Sequence, residues 1–71
     1  MRNICGERIR ELRLEKGLSQ SELAKNLSVT QQTITVWETG KAYPEVETLI
    51  KLADYFAVSI DYLLGRKEIW N

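Results

Sequence analysis

The feature that most constrains this chain is how little of it separates two short amphipathic stretches. "SELAKNL" at 21–27 and "QQTITVW" at 31–37 are joined by about three residues around Ser28. Each has helical spacing: Leu23 and Leu27 stand four apart in the first, and Ile34 and Trp37 three apart in the second. So short a link forces the two helices to pack at a steep angle. Leu23, Leu27, Val29, Ile34 and Trp37 then share one inward surface, with Ala24 small where the helices approach. Gln20, Gln31, Gln32, Thr35 and Val36 are left pointing outward.

Punctuation extends this pattern to both sides. A first helix is expected from about Ile4 to Lys16, where Cys5, Ile9 and Leu12 recur at i, i+4 and i+7 and Gly17 stops it. Ser19 with Glu22 three residues on makes a capping box for the second helix. Thr30 caps the third, and Gly40 follows it. Pro44 is expected to open a fourth helix whose buried face is Leu49, Leu52, Ala53 and Phe56. Ser59 caps a short fifth helix ending at Gly65. No strand-like alternation or repeat interrupts the series. The expectation is an all-α, compact five-helix fold, with residues 1–71 as one small domain.

Composition narrows the chemistry. One Cys and no His rule out an internal disulfide and the usual zinc ligand sets, so no metal and no cofactor are expected. Cys5 reads as a small core hydrophobe. No apolar run approaches a membrane span and the N-terminus lacks a signal pattern, which points to a soluble, cytoplasmic protein. Glu45, Glu47, Asp54 and Asp61 are spaced as solvated helix charges and no phosphate-cradling glycine loop occurs, so no enzyme is expected. Net charge is zero, but residues 1–30 carry six basic and four acidic groups and residues 31–71 the reverse. The Gln-rich helix is therefore well separated in sequence from the acidic stretch at 45–61.

That third helix is chemically odd. Its first turn shows Thr30, Gln31, Gln32 and Thr33, with no charge among them, although Glu and Lys form surface helices better. Exposed amides have a use that charges lack. In the DNA major groove adenine presents an N7 acceptor beside an N6 donor, and a glutamine amide can pair with both.

The residues "GERIRELRLEKGLSQSELAKNLSVTQQTITVWETGKAYPEVETLIKLADYFAVSIDYLLG" resemble the phage-repressor family, the Cro and lambda-repressor-like (XRE-type) helix-turn-helix proteins. The core of the resemblance is Gln20 to Thr39: Gln20 first, "LA" at 23–24, Val29, Ile34, then "WETG". It implies a lambda-repressor-like five-helix globule whose helix-turn-helix, at about 20–39, lays its third helix in the major groove of double-stranded DNA. Repressors with the same "TQQ" contact bases through both glutamines, which implies base reading by Gln31 and Gln32. Thr35 and Val36 face the same side, and Val36, where close relatives have a third polar reader, suits a thymine methyl.

Phosphate contacts are implied for Gln20, at a helix N-terminus that attracts anions, and for Thr30, Thr39, Lys41 and Tyr43 around the reading helix. Solvent exposure alone would also account for Gln20, and packing on Pro44 for Tyr43. Arg13 and Glu38 match a family pair that ties the third helix to the first, against the plainer alternative of two independent surface charges. Relatives usually place Gly in the turn. Ser28 here either accepts strain of roughly 1 kcal/mol or makes a slightly different turn. Glu45 replaces the usual Ser after Pro44 and is expected to cap poorly.

With only Lys25 and Lys41 as cations in 19–43, long-range attraction to DNA is modest and two copies should act together. The end of the chain, 59–71, supplies leftover apolar residues, and relatives pair there. A homodimer through Leu64, Ile69 and Trp70 on a palindromic operator follows, unless Trp70 folds back on its own core. The function expected is a sequence-specific transcriptional regulator, a repressor of bacterial or phage type. The alternative from another class is a protein-interaction module, such as the antitoxin partner of a toxin, on the same fold.

Overall fold

Every helix among the described residues ends in the same way. The computed structural model describes residues 4–68, which form α1 (Ile4–Glu15), α2 (Gln20–Leu27), α3 (Gln31–Glu38), α4 (Val46–Phe56) and α5 (Ile60–Leu63). Past each one, a single residue turns left-handed: Gly17, Ser28, Gly40, Ala57 and Gly65, with φ between 56° and 81°. The next N–H then reaches back over the last turn. Leu18 donates to the Arg13 carbonyl, Val29 to Ala24, Lys41 to Val36, Val58 to Ala53 and Arg66 to Asp61, at 2.8–3.1 Å. This is the Schellman closure, which satisfies carbonyls the helix leaves open.

Of the two readings left open for Ser28, the structure takes the left-handed one, with φ 60° and ψ 40°. Ala57 does the same at φ 56°, ψ 44°, a second site without glycine. The two junctions repeat in sequence as well. "LSVT" links α2 to α3 and "FAVS" links α4 to α5, each giving a left-handed residue, a Val and a hydroxyl N-cap.

Starts are as local as ends. Ser19 accepts from the Glu22 N–H while Glu22 accepts from the Ser19 N–H, completing the capping box. The Ser19 N–H, by donating to its carboxylate, lowers the Glu22 pKa. Thr30 and Ser59 cap α3 and α5 through the N–H groups of Thr33 and Tyr62. Pro44 departs from expectation. It is buried one residue outside α4, and Glu45 takes the N-cap with extended backbone and no side-chain cap bond. A proline fixes only its own φ, and the extended ψ of Glu45 delays the helix to Val46.

Each helix contributes one fully buried aliphatic residue to a common centre: Ile9, Leu23, Ile34, Leu52 and Leu63. Each such burial removes about 1.5–3 kcal/mol of apolar exposure. Cys5 packs with them, and burial pushes its thiol up to about 11, as befits a core hydrophobe. Gly6 is needed where α1 crosses α3, because a Cβ there would collide with the Trp37 carbonyl. No helix among the described residues is long and apolar enough to cross a membrane.

Candidate nucleic-acid interface

The third helix is built to be held from behind. On its inner side Ile34 and Trp37 are buried against the core, and at its end Glu38 turns inward. Arg13, from α1, donates through Nε to Glu38 Oε2 at 2.7 Å and through Nη2 to Oε1 at 3.1 Å. Its third nitrogen donates to the Leu18 carbonyl at 2.8 Å. The two side chains are only 9% and 3% exposed, so they are not independent surface charges. The hydrogen bond to Glu38 raises the Arg13 pKa above its ordinary value. An exposed pair would contribute about 1 kcal/mol at most. A buried pair behaves differently, since removing one partner strands the other and costs about 3–5 kcal/mol.

From this ion pair a polar chain runs outward. Gln20 donates through Nε2 to Glu38 Oε1 at 3.1 Å, and its Oε1 accepts from the Thr35 hydroxyl at 2.9 Å. Gln31 Nε2 approaches the same Gln20 oxygen at a long 3.5 Å, while its Oε1 accepts from the Ser21 hydroxyl at 2.9 Å. Gln20 is thus half-buried and structurally engaged, which goes beyond simple solvent exposure. Gln31 and Gln32 are exposed on the first turn, and Thr35 and Val36 are half-buried one turn on. The one proton of the Thr35 hydroxyl has two acceptors in reach, Gln20 Oε1 at 2.9 Å and the Gln31 carbonyl at 3.2 Å.

Around this face lie the other candidate residues. Thr30 is exposed, its hydroxyl accepting from the Thr33 N–H and sharing a bond with the Thr33 hydroxyl. The Thr39 hydroxyl donates back to the Thr35 carbonyl at 2.8 Å. Lys41 and Tyr43 lie in the exposed segment after α3, with Tyr43 58% exposed rather than packed away on Pro44. Ser21 was not singled out from the sequence, because its contact with Gln31 arises only where two helices cross. Leu64, at the far end, is 37% exposed, while Ile69 and Trp70 lie outside the described residues.

Arg8 is a second residue without a sequence signal. Its guanidinium lies 4.0 Å from the centroid of the Tyr62 ring, donates to the carbonyls of Tyr62 and Lys67 at 2.8 Å, and meets Glu68 at 3.2 Å. It fastens the chain after α5 onto α1.

A helix-turn-helix family model matches residues 9–63. The transcriptional activator BcrR of Enterococcus faecalis is 41% identical over 63 residues, covering 89% of this chain and 31% of that protein. A prophage-derived transcriptional regulator of Bacillus subtilis, YonR, is 44% identical over 59 residues, 83% of this chain and 55% of its own length. The chain thus spans about a third to a half of these curated relatives. Among solved structures, the P22 c2 repressor in complex with a synthetic operator superimposes with a TM-score of 0.84 at 33% identity, covering 93% of this chain and all of that one. The match runs from Ile9 in α1 to Leu63 in α5 and takes in both crossing helices, the turn between them and the Arg13–Glu38 pair. By that match this chain belongs to the helix-turn-helix family of transcriptional regulators, of the Cro and lambda-repressor type.

Proposed function

We propose that this chain is the DNA-binding part of a cytoplasmic transcriptional repressor, and that α3 enters the major groove. The observation that carries this is the pairing of two exposed glutamines with a helix anchored from behind through a buried ion pair. Base reading needs amides held within a fraction of an ångström, and a helix pinned at its end by Arg13 provides that rigidity. Gln31 and Gln32 read base edges, and Val36 and the methyl of Thr35 meet apolar groups beside them. Gln20, Thr30, Thr39, Lys41 and Tyr43 hold phosphates and set the register without conveying sequence. The regulator names of the relatives favour this over an antitoxin role.

The scarcity of cations near α3 supports binding as a homodimer on a palindromic operator. The pairing surface is built from Leu64, Ile69 and Trp70, placing two reading helices roughly 34 Å apart.

Selection of bound fragments from a random DNA library tests the whole reading. On the selected site Gln31→Ala lowers affinity by about 1–3 kcal/mol and leaves random DNA nearly unaffected. Lys41→Ala weakens both alike and flattens the salt dependence. Equal losses on selected and random DNA for Gln31→Ala would remove the base-reading role. A parent chain that sediments as a monomer both free and on a palindrome would remove the dimer.

A further inference from the structure

We infer that Arg10, on α1, grips a DNA phosphate beside the end of the reading helix, so that the interface reaches beyond the two crossing helices to the first. This rests on the proposed DNA-binding role and adds an anchor to it.

Four arginines lie among the described residues, and three are engaged within the fold. Arg13 is buried against Glu38, Arg8 donates to the Tyr62 and Lys67 carbonyls over the Tyr62 ring, and Arg66 meets Asp61 at 4.0 Å. The Arg10 side chain is exposed and makes no hydrogen bond, ion pair or ring contact with any described residue.

Its place follows from helical phase. Cys5, Ile9 and Leu12 are the residues that α1 turns to the core. Gly6 and Arg13 lie on the edge that faces α3. A Cβ on Gly6 would meet the Trp37 and Glu38 carbonyls there, and Arg13 holds the Glu38 carboxylate. Residue 10 is four after Gly6 and three before Arg13, so it shares that edge. At about 100° per residue it also stands further round from the core than either. Arg10 thus projects past the C-terminal end of α3 on the side away from the core, where Gln31, Gln32 and Thr39 are exposed.

With α3 in the major groove, that end of the helix lies against the backbone of one strand, and Arg10 converges there with Thr39 and Lys41. A guanidinium fork pairs with two phosphate oxygens at once. In a chain of zero net charge with few cations near α3, an unspent arginine at this point adds attraction that Lys25 and Lys41 alone do not supply. A cation beside the end of a helix also complements its dipole, so stability has to be measured beside binding.

Affinity for the selected DNA site and for random duplex, measured from roughly 50 to 200 mM salt on the parent chain, Arg10→Ala and Arg10→Lys, tests the grip. Thermal unfolding of each runs in parallel. Arg10→Ala should weaken both DNAs alike, by about three- to tenfold per copy bound, and lower the slope of log affinity against log salt by about 1 per copy. Its Tm should stay at the parental value, and Arg10→Lys, which keeps the charge, should keep the slope. Unchanged affinity and slope in Arg10→Ala, beside a clear effect of Lys41→Ala, overturn the grip and leave DNA binding by α3 intact. A lower Tm with an unchanged slope also overturns it, since Arg10 then serves the α3 dipole. A loss confined to the selected site does the same, because phosphates carry no sequence. If the parent binds neither DNA, the DNA-binding role and the grip fall together.

Discussion

Glycine and alanine should change places in their usual ranking at two helix ends of this chain. Ala57 closes α4 at φ 56° and is exposed, so little packing depends on its methyl. A left-handed residue with a Cβ costs about 1–2 kcal/mol. Glycine removes that cost but adds unfolded-state freedom of about 0.5–1 kcal/mol. The net for Ala57→Gly is a gain of about 0.5–1 kcal/mol. At about 4–8 °C per kcal/mol for a domain of this size, Tm should rise by roughly 2–8 °C. Gly17 supplies the mirror experiment. It closes α1 at φ 69°, and a Cβ added there would meet nothing within 4 Å. Crowding is therefore absent, and Gly17→Ala should lose about what Ala57→Gly gains. Thermal and urea unfolding at one fixed protein concentration, with unchanged m-values, measures both. If Ala57→Gly lowers Tm while Gly17→Ala raises it, unfolded-state entropy outweighs left-handed strain and the account of these helix ends is wrong.

Other perturbations have different signs and readouts. Glu38→Ala should cost about 3–5 kcal/mol in urea unfolding, because Arg13 is left buried and unpaired; a loss under 1 kcal/mol would show that water reaches the guanidinium. Gly6→Ala should cost at the upper end of about 1–3 kcal/mol, since the Trp37 carbonyl in its way already accepts the Gly40 N–H, and a neutral outcome would mean α1 slides freely over α3. Cys5, pushed up to about 11 by burial, keeps its thiol neutral in the folded chain after the unfolded chain has ionised. Its contribution is complete below the ordinary thiol pKa and declines as pH rises towards 11. The parent should therefore lose more stability than Cys5→Ala between pH 8 and 10.5, and parallel losses would refute the burial effect.

What could be read in the sequence and what could not divide along one physical line. Ser19 with Glu22, Thr30 with Thr33 and Ser59 with Tyr62 act within one turn of helix, so spacing alone reveals them. Four of the five fully buried aliphatics, Ile9, Leu23, Ile34 and Leu52, follow from helical periodicity for the same reason, whereas α5, four residues long, carries too little of it to single out Leu63. The αL turn at Ala57 was invisible, since an alanine gives no sign of positive φ. Only its likeness to the Ser28 junction, "FAVS" beside "LSVT", carries a trace of it. Pro44 shows a limit of one-residue rules, because the preference that admits proline to a first helical turn equally admits it before the cap.

The polar face shows why function is harder to read than fold. Helical phase alone puts Gln31 and Gln32 outside. The contacts of the Gln31 amide, however, are with Ser21 ten residues earlier and Gln20 eleven earlier and, through Gln20, with Glu38 at the other end of α3. None of these partners shares a helical turn with Gln31, so no periodicity connects them. They meet because the link around Ser28 sets two helices across each other and because Gly6 lets α1 bring Arg13 beside Glu38. Backbone freedom at one glycine and a left-handed turn at one serine thus bring together the polar groups around Gln31. A variant that leaves every exposed side chain of α3 intact but alters that crossing should change binding preference before it changes the fold.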